Sequence, residues 1–194
     1  GNDTIDGGAN ADSLYGNAGD DIFIQRDGQT KDDFIDGGTA SELNGDTVDY
    51  SNITASVNLT LKDGGLSNTV QLGGSDDHIL KNIENITGSS VGDTLVGNSG
   101  KNTILGGAGN DTIDGGLGED YLDGGFTNNG SGVNTELNTL SYESIDKSVR
   151  VDLRNNSAIT DKNNNGFSYD SSGNNTDASD EQDTIINFKT VIGS

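Results

Sequence analysis

Residues 88–123 read GSSVGDTLV, GNSGKNTIL, GGAGNDTID and GGLGEDYLD, four nine-residue units without a gap. Each unit begins with a glycine-containing turn, carries Asp or Asn at its sixth position and has one large aliphatic residue at its eighth. One buried residue in nine cannot close a core alone, so such units must stack on copies of themselves. The eighth-position residues that we expect to form this core are Leu95, Ile104, Ile113 and Leu122.

The same register occurs near the beginning of the chain. Residues 7–15 read GGANADSLY and residues 16–24 read GNAGDDIFI, and the partial unit GNDTID precedes them. Because the sequence begins in the middle of a unit, we expect it to be a fragment of a longer polypeptide.

These units resemble the RTX (repeats in toxin) family of haemolysin-type calcium-binding repeats, whose consensus is G-G-x-G-x-D-x-U-x with U a large aliphatic residue. The units at 106–114 and 115–123 match the consensus at every defined position. The resemblance implies an all-β fold, a right-handed parallel β-roll or β-helix. It also implies that several calcium ions are bound in the turns.

The turn composition gives a physical reason for the ion. Glycine allows backbone conformations that other residues avoid and lets carbonyl oxygens point inward. A carboxylate at the sixth position then adds charge to a set of neutral oxygens, which is the environment that calcium favours. The candidate ligands, side chains first and then turn residues, are Asp3, Asp12, Asp21, Asp33, Asp93, Asn102, Asp111, Asp120, Gly8, Asn10, Gly16, Asn17, Ala18, Gly19, Ser89, Val91, Asn98, Gly100, Gly106, Gly107, Ala108, Gly109, Gly115, Leu117 and Gly124.

The RTX pattern places each ion between the turns of units n and n+2. It therefore pairs the sixth-position residues 93 with 111, 102 with 120, and 3 with 21, and counting facing turns gives about four to six ions. Either Asp27 or Asp33 could lie opposite Asp12, because the period is lost after residue 24. Asp111 should also face the following turn, where Asn129 replaces Asp.

The composition predicts that the chain needs a cation to fold. Acidic residues number 32 against 10 Lys and Arg, the formal net charge is −22, and hydrophobic residues make up 29%. A compact state with this charge repels itself, and little apolar surface is available to offset chain entropy. Because Cys, Met, Trp and Pro are absent, no disulfide or soft-metal site can stabilise the fold.

Two longer interludes follow the arrays and are copies of one another. Residues 46–61 align without gaps on 138–153, and residues 78–89 align on 183–194. We therefore divide the chain into a first array with its interlude, 1–87, and a second, 88–194. Alternating aliphatic residues, as in 57–61, predict strands. We interpret the interludes as wider coils of the same solenoid, with small β-sandwich-like inserts as the alternative.

Two polar features lie outside the repeats. Residues 161–166, DKNNNG, match the start of an EF-hand-like loop, with Asp161, Asn163 and Asn165 at ligand positions 1, 3 and 5. Since position 12 is Ser172, an Asn-rich surface turn is the alternative. The only histidine, His78, aligns with Asp183 and is expected to be an exposed polar residue.

The sequence favours a structural function over catalysis. It contains no HExxH motif and no Cys nucleophile, so we expect no enzymatic activity. The first hypothesis is a calcium-binding module that folds on binding calcium and supports folding, extension or secretion of a larger extracellular bacterial protein such as a toxin or adhesin. The alternative is a calcium-dependent module that binds polysaccharide or another cell-surface ligand. RTX resemblance implies type I secretion from a Gram-negative bacterium, and the charge argues against nucleic-acid binding.

Overall fold

A computed structural model describes the backbone of residues 1–27, 33–63, 68–72, 76–125, 136–144, 149–152, 157–160 and 181–192. Every regular element in these ranges is a β-strand. The structure therefore confirms the all-β prediction. No helix of the length and apolar character required to cross a membrane occurs in these ranges.

The strands are short, and those of the second array contain three residues each, as expected for units that alternate a turn with one buried position. The eighteen strands are β1 (Thr4–Asp6), β2 (Ser13–Ala18), β3 (Ile22–Arg26), β4 (Phe34–Ala40), β5 (Thr47–Asn52), β6 (Val57–Thr60), β7 (Asn68–Leu72), β8 (Asp76–Lys81), β9 (Asn85–Thr87), β10 (Thr94–Val96), β11 (Thr103–Leu105), β12 (Thr112–Asp114), β13 (Tyr121–Asp123), β14 (Thr139–Ser141), β15 (Val149–Asp152), β16 (Ser157–Thr160), β17 (Glu181–Ile186) and β18 (Thr190–Ile192).

Successive units of the arrays contribute strands to two different sheets. The first sheet has the order β1-β3-β5-β9-β11-β13-β17-β16-β15, and the second has the order β18-β14-β12-β10-β6-β7-β8-β4-β2. Each array strand pairs in parallel with the strand two units away, for example Thr94 with Thr112 and Thr103 with Tyr121. This arrangement is a parallel β-roll, as the RTX resemblance implied.

The core is a stack of the eighth-position side chains. Leu95, Ile104, Ile113 and Leu122 are all fully buried, and Phe23 occupies the same position in the first array. Their neighbours along each sheet are equivalent residues two units away, as in the pairing of Leu95 with Ile113. Each aliphatic side chain is therefore buried by its copies, as the period predicted.

The interludes join the same two sheets, but part of each pairs in antiparallel fashion. β5 and β9 pair in parallel with each other and continue the first sheet, whereas β6, β7 and β8 form an antiparallel meander in the second. In the other interlude, β15, β16 and β17 repeat the antiparallel pattern. The interludes are therefore wider coils that continue the same two sheets, as expected, and each adds an antiparallel meander that the sequence did not predict.

β8 contributes Leu80 to the core. Leu80 is fully buried, whereas the adjacent Ile79 is 41% exposed. Leu80 pairs with the buried Ile35 of β4, so the pleat turns Ile79 outward.

We predict that Ile104→Ala destabilises the calcium-saturated protein by about 2–5 kcal/mol, because it leaves a cavity in a stack that cannot collapse. Ile22→Ala, at a position that is 41% exposed, is the matched control and should cost much less. The free energy of unfolding measured with denaturant in excess calcium checks this prediction. Equal losses for the two variants would contradict the proposed stack.

Candidate metal centre

The sixth-position residues form two ladders, one along each sheet. Each stands immediately before a strand or, in β8 and β17, at the equivalent register position. The first ladder contains Asp3, Asp21, Asp46, Glu84, Asn102, Asp120 and Asp183, and the second contains Asp12, Asp33, His78, Asp93, Asp111 and Asn138.

One side-chain oxygen of most ladder residues accepts a hydrogen bond from the backbone of a neighbouring coil. Oδ1 of Asp111 accepts from the Asp93 amide at 2.8 Å. Equivalent bonds run from the amides of residues 3, 12, 21, 57, 102, 111 and 120 to Oδ1 of Asp21, Asp33, Asp46, Asp93, Asp120, Asn138 and Asp183, at 2.7–3.1 Å. These bonds hold the carboxylates in line along the roll.

The second oxygen of several ladder carboxylates is buried without a hydrogen-bond donor among the described residues. This holds for Oδ2 of Asp12, Asp21, Asp46 and Asp111. A buried acceptor without a donor is costly, and a buried charge more so. These oxygens therefore call for a cation or a proton.

Backbone oxygens lie beside these carboxylates. A Cβ placed on Gly106 would lie 2.6 Å from Oδ2 of Asp111 and 2.8 Å from the Gly124 carbonyl oxygen. A Cβ on Gly16 would likewise meet both Oδ2 of Asp21 and the Gly37 carbonyl. These two turns thus each present a carboxylate oxygen and a carbonyl oxygen from the next coil to the same small space. Clustered hard oxygens of mixed charge fit calcium.

Burial makes the ionised form of these groups unfavourable. It raises the pKa of Asp46 and of Asp111 to about 7, and it raises the pKa of Asp93. The neighbouring Asp93 and Glu136 charges add to the effect at Asp111. A divalent cation would remove this penalty by balancing the charge.

The turn glycines adopt the conformation that the motif requires. Gly8, Gly19, Gly107 and Gly109 have φ between +78° and +120°. Asn10 and Asn17 stand where a glycine is expected and also have positive φ, of 88° and 69°. Asn tolerates left-handed geometry, so both departures from the consensus preserve the turn.

At two ladder positions, Asp93 and Asn102, nearby residues of the same turn already donate hydrogen bonds to the side chain. Ser89 donates its amide to Oδ2 of Asp93 at 2.6 Å and its hydroxyl to Oδ1 at 2.8 Å. Oδ1 of Asn102 accepts the Asn98 amide at 2.9 Å, and its Nδ2 donates to the Glu84 carbonyl at 2.7 Å. Both side chains are better satisfied without an ion than Asp21 or Asp111.

The remaining candidate residues divide into three groups. Asp33 lies opposite Asp12, whereas Asp27 is exposed and instead accepts hydrogen bonds from Thr54. The residue that follows Asp111 in its ladder is Asn138, in place of the expected Asn129. Asn129, Asp161, Asn163 and Asn165 lie outside the described residues.

The prediction for His78 is wrong, because the side chain is 1% exposed. Its Nδ1 lies 3.4 Å from the Asp33 amide, where other ladder positions supply a carboxylate oxygen. Tyr50 and Tyr142 occupy matching positions in the two interludes and lie next to the aligned residues His78 and Asp183. The Tyr50 ring packs edge-on at 6.4 Å from the His78 ring, and the Tyr142 hydroxyl donates to Asp183 at 3.1 Å.

Five ladder members were absent from the sequence-based candidates: Asp46, His78, Glu84, Asn138 and Asp183. They lie in or beside the interludes, where the nine-residue period does not apply. The sequence nevertheless contained a signal for two of these ladder positions, because Asp46 aligns with Asn138 and each directly precedes a strand.

The model of the RTX calcium-binding nonapeptide repeat family matches four copies in this chain, over residues 1–24 and 87–129. Both arrays are thus similar to RTX calcium-binding repeats. The matched ranges include the turn glycines with positive φ described above, Gly8, Gly19, Gly107 and Gly109. They also include the ladder residues of the nonapeptide units. A search of curated proteins found no significant match.

We predict that Gly107→Ala impairs folding in calcium far more than Gly100→Ala. Gly107 has φ +95°, and an added Cβ would overlap the Ser89 carbonyl of the next coil. Gly100 is the matched control, because a Cβ there would meet only Oδ1 of Asn98, at 3.3 Å. Thermal unfolding in excess calcium measures both. Similar melting temperatures would show that the RTX turn does not need close coil contact.

Proposed function

We propose that this chain is a structural module that folds on binding several calcium ions and supports the folding, extension or secretion of a larger extracellular bacterial protein. The observation that carries the proposal is the set of buried, hydrogen-bond-deficient carboxylate oxygens in the RTX ladders, Oδ2 of Asp21 and Asp111 among them. Calcium supplies positive charge and accepts oxygen ligands from both carboxylates and carbonyls.

The ligands that we propose are the ladder side chains together with the turn carbonyls beside them. The facing pairs are residues 3 with 21, 12 with 33, 21 with 46, 93 with 111, 102 with 120, 111 with 138 and 120 with 183. Because Asp183 follows Asp120, both Asp111 and Asp120 have neighbours on each side. The pairs that contain Asn102 or Asn138 should bind more weakly than the others, since both side chains are neutral and already hydrogen-bonded.

Electrostatics connects these sites to folding. Without the ion, folding brings carboxylates into line on a chain whose formal net charge is −22. The sites exist only when the coils are stacked, so binding free energy appears as folding free energy. Extracellular calcium, and not cytosolic calcium, is the ligand that we expect to drive the transition.

The proposed cellular role rests on what is typical of RTX repeats. Such repeats typically occur in secreted proteins, and a chain that folds only outside the cell would remain extended during export. We place the module in a non-catalytic position in its parent protein, because its described polar clusters are turns and ladders of the roll.

We expect the calcium-free chain to be expanded and largely without strands, and millimolar calcium to produce a cooperative transition to a compact β-rich state. Circular dichroism and size-exclusion chromatography during a calcium titration measure this transition. Magnesium is the control cation and should substitute poorly, because it dehydrates reluctantly and needs tighter octahedral geometry. An unchanged spectrum and radius between chelator and calcium would refute the proposed function.

We expect Asp111→Asn to raise the calcium midpoint several-fold and to lower the number of bound ions. The substitution keeps an oxygen that can accept from the Asp93 amide but removes a buried charge with neighbours on both sides. Asp27→Asn is the matched control, because Asp27 lies outside both ladders. Isothermal titration calorimetry measures midpoint and stoichiometry, and equal curves for the two variants would contradict the ladder assignment.

A further inference from the structure

A cluster of three carboxylates lies outside the nonapeptide units. One carboxylate oxygen from each of Glu42, Asp46 and Glu84 lies within 4.8 Å of both others. Asp46 directly precedes β5 and Glu84 directly precedes β9, and these strands are parallel neighbours. Glu42 belongs to the connection between β4 and β5.

Hydrogen bonds satisfy only part of this cluster. Asp46 is fully buried, and its Oδ1 accepts the Asp21 amide at 2.7 Å. Oε2 of Glu84 accepts the Asp46 amide at 2.9 Å. Oδ2 of Asp46 and Oε1 of Glu42 are buried and receive no hydrogen bond within the described part of the chain. Two buried oxygens of neighbouring acids thus lack a donor.

The electrostatic environment of the cluster is entirely acidic. Burial raises the pKa of all three carboxyls, to about 7 at Asp46. The charged groups that raise these values further are Asp20 and Asp21, besides the cluster members themselves. Bringing three acids together against this repulsion requires a compensating charge.

The second interlude shows the same junction with two of the three acids replaced. Asn138 aligns with Asp46, and Lys189 aligns with Glu84. The backbones correspond, because the Glu84 amide donates to the Asp46 carbonyl at 3.1 Å and the Lys189 amide donates to the Asn138 carbonyl at 3.0 Å. The second copy therefore has an amide and a fixed cationic residue at the positions where the first has two carboxylates.

We propose that Glu42, Asp46 and Glu84 bind a calcium ion that joins the first array to its interlude. The site differs from the RTX turn sites in its chemistry, since Glu42 and Glu84 add two carboxylates to that of the ladder residue Asp46. Hard oxygen ligands with high negative charge select a hard divalent cation and increase its affinity. The ion ties the connection before β5 to two adjacent strands of the first sheet.

The test compares Glu42→Gln and Glu84→Gln with the control Glu143→Gln in the full chain. Glu143 is an exposed residue outside both ladders. Bound calcium is counted by equilibrium dialysis, and affinity is measured by calorimetry. Each cluster variant should lose one ion or weaken one site on the order of tenfold, with the remaining sites unchanged. The control should match the unmodified chain.

A second variant separates ion binding from simple misfolding. Glu84→Lys introduces the residue of the second interlude at this position and leaves Asp46 in its pair with Asp21, so the junction should form with one ion fewer. Unchanged stoichiometry and affinity in Glu42→Gln, Glu84→Gln and Glu84→Lys would overturn the inference while leaving the turn sites intact. The site requires the folded roll of the proposed function, but loss of calcium-dependent folding in the unmodified chain would refute that function separately.

Discussion

The structure depends on the alignment of buried carboxylates along each sheet. The roll can stack only if the residue before each strand reaches the backbone of the neighbouring coil, as Asp111 does at the Asp93 amide. That contact places a charged group in a poorly solvated position, which raises the pKa of Asp111 to about 7. The interaction that sets the register is therefore also the one that opposes folding until a cation balances it.

The apolar core cannot provide this balance by itself. Each nonapeptide unit buries a single large side chain, such as Ile104 or Leu122, and relies on its neighbours to cover it. Stability is then a sum over contacts between coils, each with a favourable apolar part and an unfavourable charged part. Under the proposed function, a bound calcium ion would make the second part favourable at each turn that it occupies. The arrays and the interludes would then gain stability together, because their strands belong to the same two sheets.

The sequence predicted what its period encodes and missed what depends on contacts beyond the period. The nine-residue repeat predicted the parallel pairing of β10 with β12 and the burial of Leu95, because position in the unit determines both. It could not predict that β6, β7 and β8 form an antiparallel meander, because alternating residues indicate a strand without its direction. The burial of His78 was missed for a related reason. Its partner Asp33 is 45 residues away, and nothing local to His78 indicates that contact.

The two interludes share one backbone junction, a parallel pair of strands, but carry different charges beside it. Where β5 meets β9, Asp46 and Glu84 place carboxylates at the equivalent backbone positions. Where β14 meets β18, Asn138 and Lys189 occupy those positions, and the strands pair in the same parallel register. The second junction has a lysine where the first has Glu84, whereas the first, under our proposal, obtains its positive charge from a bound calcium ion. We therefore expect the attachment of the first interlude to its array to depend more directly on calcium concentration.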